Sequence, residues 1–254
     1  MQRSFGWVLL LGLAVTATAL CGSVAQASVT GDTISIAFAR DEPPGTAGCA
    51  LAATDVAGAP GYATANWINE TTNLGTDSNL TRDTLGVAST TSAALTWTAD
   101  NTWSTDGTRG EFDNAFPGAD GALMNGYLDC GNGANGGFTE ITVKNLPADI
   151  AAGYSVVIYT LGGVRSRPGQ FFANGNGPLF VLPGGPGGAT SYYQHAQVGV
   201  YAQAIGDDPA NGPDSYGNYV VFTGLSGDLD VQAFPNGGGT PRASINAIQI
   251  VKNP

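Results

Sequence analysis

Thr33-Ile34-Ser35-Ile36-Ala37-Phe38 alternates polar or small residues with apolar ones, and Phe138-Thr139-Glu140-Ile141-Thr142-Val143-Lys144 does the same. A period of two sends Ile34, Ile36 and Phe38 to one face of a strand, and sets Ile141 and Val143 opposite a solvent-facing Glu140. Ala94-Leu95-Thr96-Trp97-Thr98 repeats the pattern and puts Leu95 and Trp97 in the core. Tyr154-Ser155-Val156-Val157-Ile158-Tyr159 is apolar on both faces, as in a strand covered on both sides. Further strands are predicted at Gln170–Ala173, Leu179–Leu182, Ala196–Tyr201, Tyr219–Thr223, Leu229–Ala233 and Ala247–Val251.

Turn clusters separate these stretches: Asn145-Leu146-Pro147, Gly162-Gly163, the Gly/Pro run 183–188 and Pro235-Asn236-Gly237-Gly238-Gly239. No stretch sustains a 3.6-residue apolar period, and a short helix near Asp55–Trp67 is interrupted by Gly58, Pro60 and Gly61. Short strands between Gly/Pro/Asn turns predict an all-β chain, an antiparallel β-sandwich.

Composition agrees. The 254 residues include 38 Gly and 14 Pro, about a fifth of the chain, where ~12% is usual. This excludes long helical bundles and coiled coils. Charged residues are 11%, with 9 Lys+Arg against 20 Asp+Glu and a net charge of −11. Nine scattered cations cannot build the basic face that phosphate binding requires, so no nucleic-acid partner is expected.

Residues 1–27 have the form of a secretory signal peptide. Arg3 supplies the positive start, Trp7 to Leu20 the apolar stretch, and Ala25-Gln26-Ala27 the small-x-small cleavage pattern. The apolar run, about 14 residues, is shorter than the ~20 a membrane helix needs, so no membrane span is expected. The remainder, 28–254, is expected to be one sandwich domain, secreted or at the cell surface. Removal of the leader takes Cys21 and leaves Cys49 and Cys130, which an oxidising compartment would join as a disulfide. Such a bond closes a loop of about 80 residues and stabilises by roughly 4 kcal/mol on the chain-entropy view.

Several phrases in order resemble a known family: Leu95-Thr96-Trp97, Asn101-Thr102-Trp103, Leu123-Met124-Asn125-Gly126-Tyr127-Leu128-Asp129, Ile141 to Pro147, Asn218 to Phe222 and Arg242 to Ile250. Together they are similar to secreted bacterial β-sandwich domains of the galactose-binding-like, jelly-roll kind. The resemblance implies a relative of carbohydrate-binding modules. It also implies that Asn246, with Ile248 and Ile250 on the last strand, lies near a structural calcium or a ligand loop. Asn in place of the frequent Asp leaves open a structural role, in which the amide ties a loop to the strand.

Catalytic chemistry is poorly supplied. His195 is the one histidine, no Gly-x-Ser-x-Gly elbow occurs, and zinc lacks ligands. A glycan hydrolase needs only two carboxylates, and Glu111 with Asp113 is the pair to consider. Acidic loops also suit a structural calcium, with Asp100, Asp106, Asp113 and Asp120 as candidate ligands; turn chemistry alone would use the same residues. Sugar recognition would use aromatic faces and planar polar groups. The candidates, expected in loops, are Trp103, Tyr127, Tyr192, Tyr193 and Trp67, with Asp129, Arg165 and Arg167 as polar partners. The expectation is a non-catalytic protein that binds a polysaccharide or glycan. The alternatives are a structural protein that self-associates through sheet edges, or a glycan hydrolase.

Overall fold

The computed structural model describes residues 31–39, 50–105, 116–130, 137–162, 169–181, 199–206, 217–235 and 243–254. The first strands are β1 (Asp32–Phe38), β2 (Ile68–Glu70), β3 (Leu74–Ser78), β4 (Thr81–Thr84) and β5 (Val87–Thr90). Then come β6 (Ala94–Thr98), β7 (Asn101–Ser104), the helical turn α1 (Gly118–Leu123), β8 (Gly126–Asp129) and β9 (Thr139–Lys144). After α2 (Ala148–Ala151) follow β10 (Tyr154–Tyr159), β11 (Gly169–Ala173), β12 (Asn176–Val181), β13 (Tyr219–Leu225), β14 (Leu229–Pro235) and β15 (Ala247–Lys252).

These form a sandwich. The first sheet has the order β13-β10-β15-β1-β4-β5, with β2 added in parallel to β1; the second has the order β12-β11-β14-β9-β6-β3. Strands β7 and β8 make a separate antiparallel ribbon. From β9 onward the chain crosses repeatedly between sheets, β9 and β11 lying in the second, β10, β13 and β15 in the first, and β14 back in the second. Apart from β1–β2, the sheet pairings are antiparallel.

The alternation works as elementary strand geometry requires. Ile34, Ile36 and Phe38 pack in one core with Leu95, Trp97, Ile141, Val143, Val156, Ile158 and Val231. Trp97 lies against Phe38 with ring centroids 6.3 Å apart, and its indole nitrogen donates to the Thr72 carbonyl at 2.8 Å. Its ring passes directly over Gly75, where an added Cβ would meet Trp97 at 2.5 Å. Glycine is required there by close approach.

The first sheet is buried on its other face too. Ala37, Val157, Tyr159, Tyr219 and Ala247 pack there against Trp67, Leu123 and Met124. This is why Tyr154–Tyr159 reads as apolar on both faces. The covering segment 50–67 contains no helix: it runs in turns, pinned by Tyr62 N–H donating to the Ala59 carbonyl and by an Ala57–Thr64 bridge. The Tyr159 hydroxyl accepts from Ala59 N–H at 3.1 Å and donates to Gln249 Oε1 at 3.1 Å, while Gln249 Nε2 donates to the Tyr62 carbonyl. At the sandwich base, Arg82 bridges Asp32 and Asp149, with Lys252 also paired to Asp149 at 2.9 Å. The two cations hold the Asp149 carboxyl well below the usual carboxylate range.

Asn246 is fully buried, and every polar group it owns has a partner. Its backbone N–H donates to the Tyr159 carbonyl, and its carbonyl accepts from Phe38 N–H. Its side-chain oxygen accepts from Leu161 N–H, and its amide nitrogen donates to the Met124 carbonyl at 3.0 Å and the Gly126 carbonyl at 2.9 Å. The amide therefore ties a loop to the last strand, the structural one of the two roles the sequence leaves open. Removing it strands two buried backbone groups, the Leu161 N–H and the Gly126 carbonyl, at roughly 1–3 kcal/mol each, while the Met124 carbonyl keeps the Thr105 hydroxyl as a donor. Asn246→Ala is expected to cost about 3 kcal/mol in denaturant unfolding. Asn246→Asp should cost at least as much, because a carboxylate cannot donate to the two carbonyls. A loss under 1 kcal/mol in both would contradict this assignment.

Candidate functional site

Ribbon β7–β8 collects the described ligand candidates. In its register Trp103 lies opposite Tyr127 and Asn101 opposite Asp129. Directly opposed and i, i+2 residues share a face, so these four occupy one side of the ribbon. The other side carries Thr102 and Leu128; Leu128 is fully buried in the main core. Leu128 and Ile245 exchange backbone hydrogen bonds at 2.9 and 3.1 Å, which docks the ribbon beside Asn246. Thr105 closes the far end, its N–H donating to the Asn125 carbonyl and its hydroxyl to the Met124 carbonyl.

Two of the aromatic candidates are not loop residues. Trp103 and Tyr127 stand on strands, and Tyr127 is only 3% exposed. Trp103 and Asn101 are half-buried, whereas Asp129 is buried. Trp67 is core: it is 4% exposed, donates its indole N–H to the Thr64 carbonyl and meets Tyr159 edge-on. Gly, Asn and Thr around Trp103 and Tyr127 resemble loop composition, but the pairing of two short strands supplies the backbone partners. Arg165, Arg167, Tyr192 and Tyr193 lie outside the described residues, as do Glu111, His195 and residues 1–27.

Of the calcium candidates, Asp106 and Asp113 lie outside the described residues. Asp100 is buried at the start of the ribbon. Asp120 accepts from Gly58 N–H and from the Tyr201 hydroxyl, both at 2.9 Å, and so joins α1 to the covering segment. Among the described residues no three His, Cys, Asp or Glu side chains gather into a metal-binding group. Cys49 also lies outside the described residues. Cys130 is a buried thiol within 3.3 Å of the Ala243 carbonyl, and burial pushes it up to about 11. No described helix is long and apolar enough to cross a membrane.

Two features escaped the sequence reading. On the second sheet, Phe138, Phe172 and Phe234 are half-buried on the outer face. The signal for one was present: in Phe171-Phe172 an alternating strand must turn one ring outward. The other is a carboxyl pair at the sandwich rim, Glu70 of β2 beside Asp77 of β3. Burial foremost, then the charge of Asp77 and a hydrogen bond with it, push Glu70 up to about 7.

The fold is thus an all-β sandwich of antiparallel sheets packed face to face. Compared with known protein families, curated proteins and solved structures, the chain matches none.

The Glu70 proton makes stability depend on pH. Folded Glu70 holds its proton up to about 7, against an ordinary 4.5, so between these values the folded state binds more protons than the unfolded one. Stability from this group is full below pH 4.5 and declines as pH rises through about 7. Glu70→Gln should flatten the decline of melting temperature between pH 5 and pH 8. An unchanged slope would rule out Glu70 as its source.

Proposed function

We propose that the protein is a secreted, non-catalytic β-sandwich that binds carbohydrate outside the cell or at its surface, with ribbon β7–β8 as the contact element. The observation that carries this is the juxtaposition of Trp103 and Tyr127 with Asn101 and Asp129 on one ribbon face. Ring faces take the CH side of a sugar, and the neighbouring amide of half-buried Asn101 takes its hydroxyls, with buried Asp129 behind it. Half-buried Trp103 supplies the reachable ring, and buried Tyr127 sets its position. The leader at 1–27 supports export, and the acidic balance supports an uncharged ligand over a polyanion.

Retention of the mature protein on immobilised polysaccharides tests the proposal. Wild type should be retained by at least one, and Trp103→Ala should weaken retention about tenfold, roughly 1.4 kcal/mol, with melting temperature nearly unchanged. No retention on a broad panel would end this reading.

A second reading, self-assembly, is favoured by one observation. Edge strand β5 is exposed along its whole length, Val87 is 68% and Leu85 64% exposed, and β5 carries no charge. Unprotected edges of this kind pair with other strands. On that reading sedimentation should show concentration-dependent association that Val87→Lys abolishes. A monomer at millimolar concentration would retire it.

A further inference from the structure

The outer face of the second sheet carries a regular mixed lattice. In the register of β11, β14 and β9, Gln170 lies opposite Phe234, and Phe138 is next in the same line. One step along the strands, Phe172 lies opposite Gln232, Gln232 opposite Glu140, and Glu140 opposite Thr98. The two rows, one of an amide and two rings, the other of a ring, an amide, a carboxylate and a hydroxyl, lie about 7 Å apart, with neighbours about 4.8 Å apart across the strands. Phe138 and Phe234 are stacked at 5.4 Å, and Phe172 meets Phe234 edge-on at 5.7 Å.

Antiparallel sheets with one solvated face normally show polar residues there. Three half-buried rings depart from that rule, and their surroundings are made for hydroxyl groups. Gln232 Nε2 reaches Glu140 and Asp230, both at 3.4 Å, leaving these carboxylates as acceptors on the face. Asp230 Oδ1 is buried without a hydrogen-bond partner. Its carboxyl is pushed up by burial and by the charge of Glu140 beside it.

We infer that this face is a second carbohydrate-binding surface, and that its ligand is a neutral polysaccharide chain lying across β11, β14 and β9. Phe172 and Phe234 stack on sugar rings, Gln170 and Gln232 fix the hydroxyls, and Glu140 and Asp230 accept from them. Charge selects the occupant. Two carboxylates repel nucleic acid and uronate or sulfate polymers, and a two-fold contact with another copy would set Glu140 and Asp230 against themselves. Hydroxyls donate to carboxylates without bringing a charge.

The inference extends the proposed carbohydrate reading but stands on different residues, so one experiment separates them. The mature full chain is run by affinity electrophoresis in gels containing hydroxyethylcellulose, galactomannan or polygalacturonate. Retardation is expected in a neutral gel and absent in polygalacturonate, and Phe172→Ala/Phe234→Ala should weaken it at least fivefold. Gln232→Leu/Glu140→Leu, which leaves the rings in place, should weaken it similarly and guards against loss of fold in the first variant. If Trp103→Ala abolishes retardation and both sheet variants keep it, the sheet surface is refuted and the ribbon stands. The converse refutes the ribbon and supports the sheet. Absence of retardation in both neutral gels, equal retardation in polygalacturonate, or a dimer that the Phe variants dissolve would overturn the inference.

Discussion

A buried side-chain amide, that of Asn246, holds four parts of the molecule in one arrangement. The sandwich core closes by hydrophobic burial, which is not directional. The outer face of the first sheet must be closed by turns, and turns bring backbone groups that find no ladder. Asn246 meets that demand at one point: its side chain joins the segment after β10 to the carbonyls that lead into β8, while its backbone joins β1 and β10. Ribbon β7–β8 is held where it is because β8 begins at these carbonyls and pairs with Ile245. The candidate ligand face is therefore a consequence of how a buried amide is satisfied.

The two sheets have different fates. The first is buried on both faces, by the core on one side and by Trp67, Leu123, Met124 and their neighbours on the other. On that second face Tyr159 and Tyr219 serve packing, and the Tyr159 hydroxyl is used by Ala59 and Gln249. Among the described residues the second sheet has its core on one face, and the rings it turns outward are the ones the proposed ligand would meet. Three Phe, two Gln and two carboxylates share that surface with threonines at 96, 98 and 142. Low charge suits such a role, since few cations are present to attract polyanions, and two of them, Arg82 and Lys252, are committed to Asp32 and Asp149.

Strands with a strong apolar pattern were legible from the chain: β1, β6 and β9 lie where the period of two put them, with Trp97 inside and Glu140 on the outer face, β10 where a run apolar on both faces put it, and β14 and β15 at two of the further predicted strands. Strands β3, β4 and β5 were not. Leu74-Gly75-Thr76-Asp77-Ser78, Thr81-Arg82-Asp83-Thr84 and Val87-Ala88-Ser89-Thr90 bury few side chains, so they carry no amphipathic signal and exist because neighbouring strands accept their backbone hydrogen bonds. Of the site, the sequence named Trp103, Tyr127 and Asp129 but placed the rings in loops. Their shared face depends on a pairing register, which no local pattern encodes.

By itself, the sequence determined the class: an all-β sandwich, poor in charge, with its apolar residues at strand spacing. Local chemistry suffices for that, because alternation, turn residues and charge are properties of neighbours along the chain. Tertiary structure alone decided which faces are covered. Trp67 became core, Trp103 came opposite Tyr127, Glu70 met Asp77, and Phe138 joined Phe234 across a sheet. Each of these depends on contacts between residues distant in sequence, where burial and register, rather than composition, set what a side chain can do.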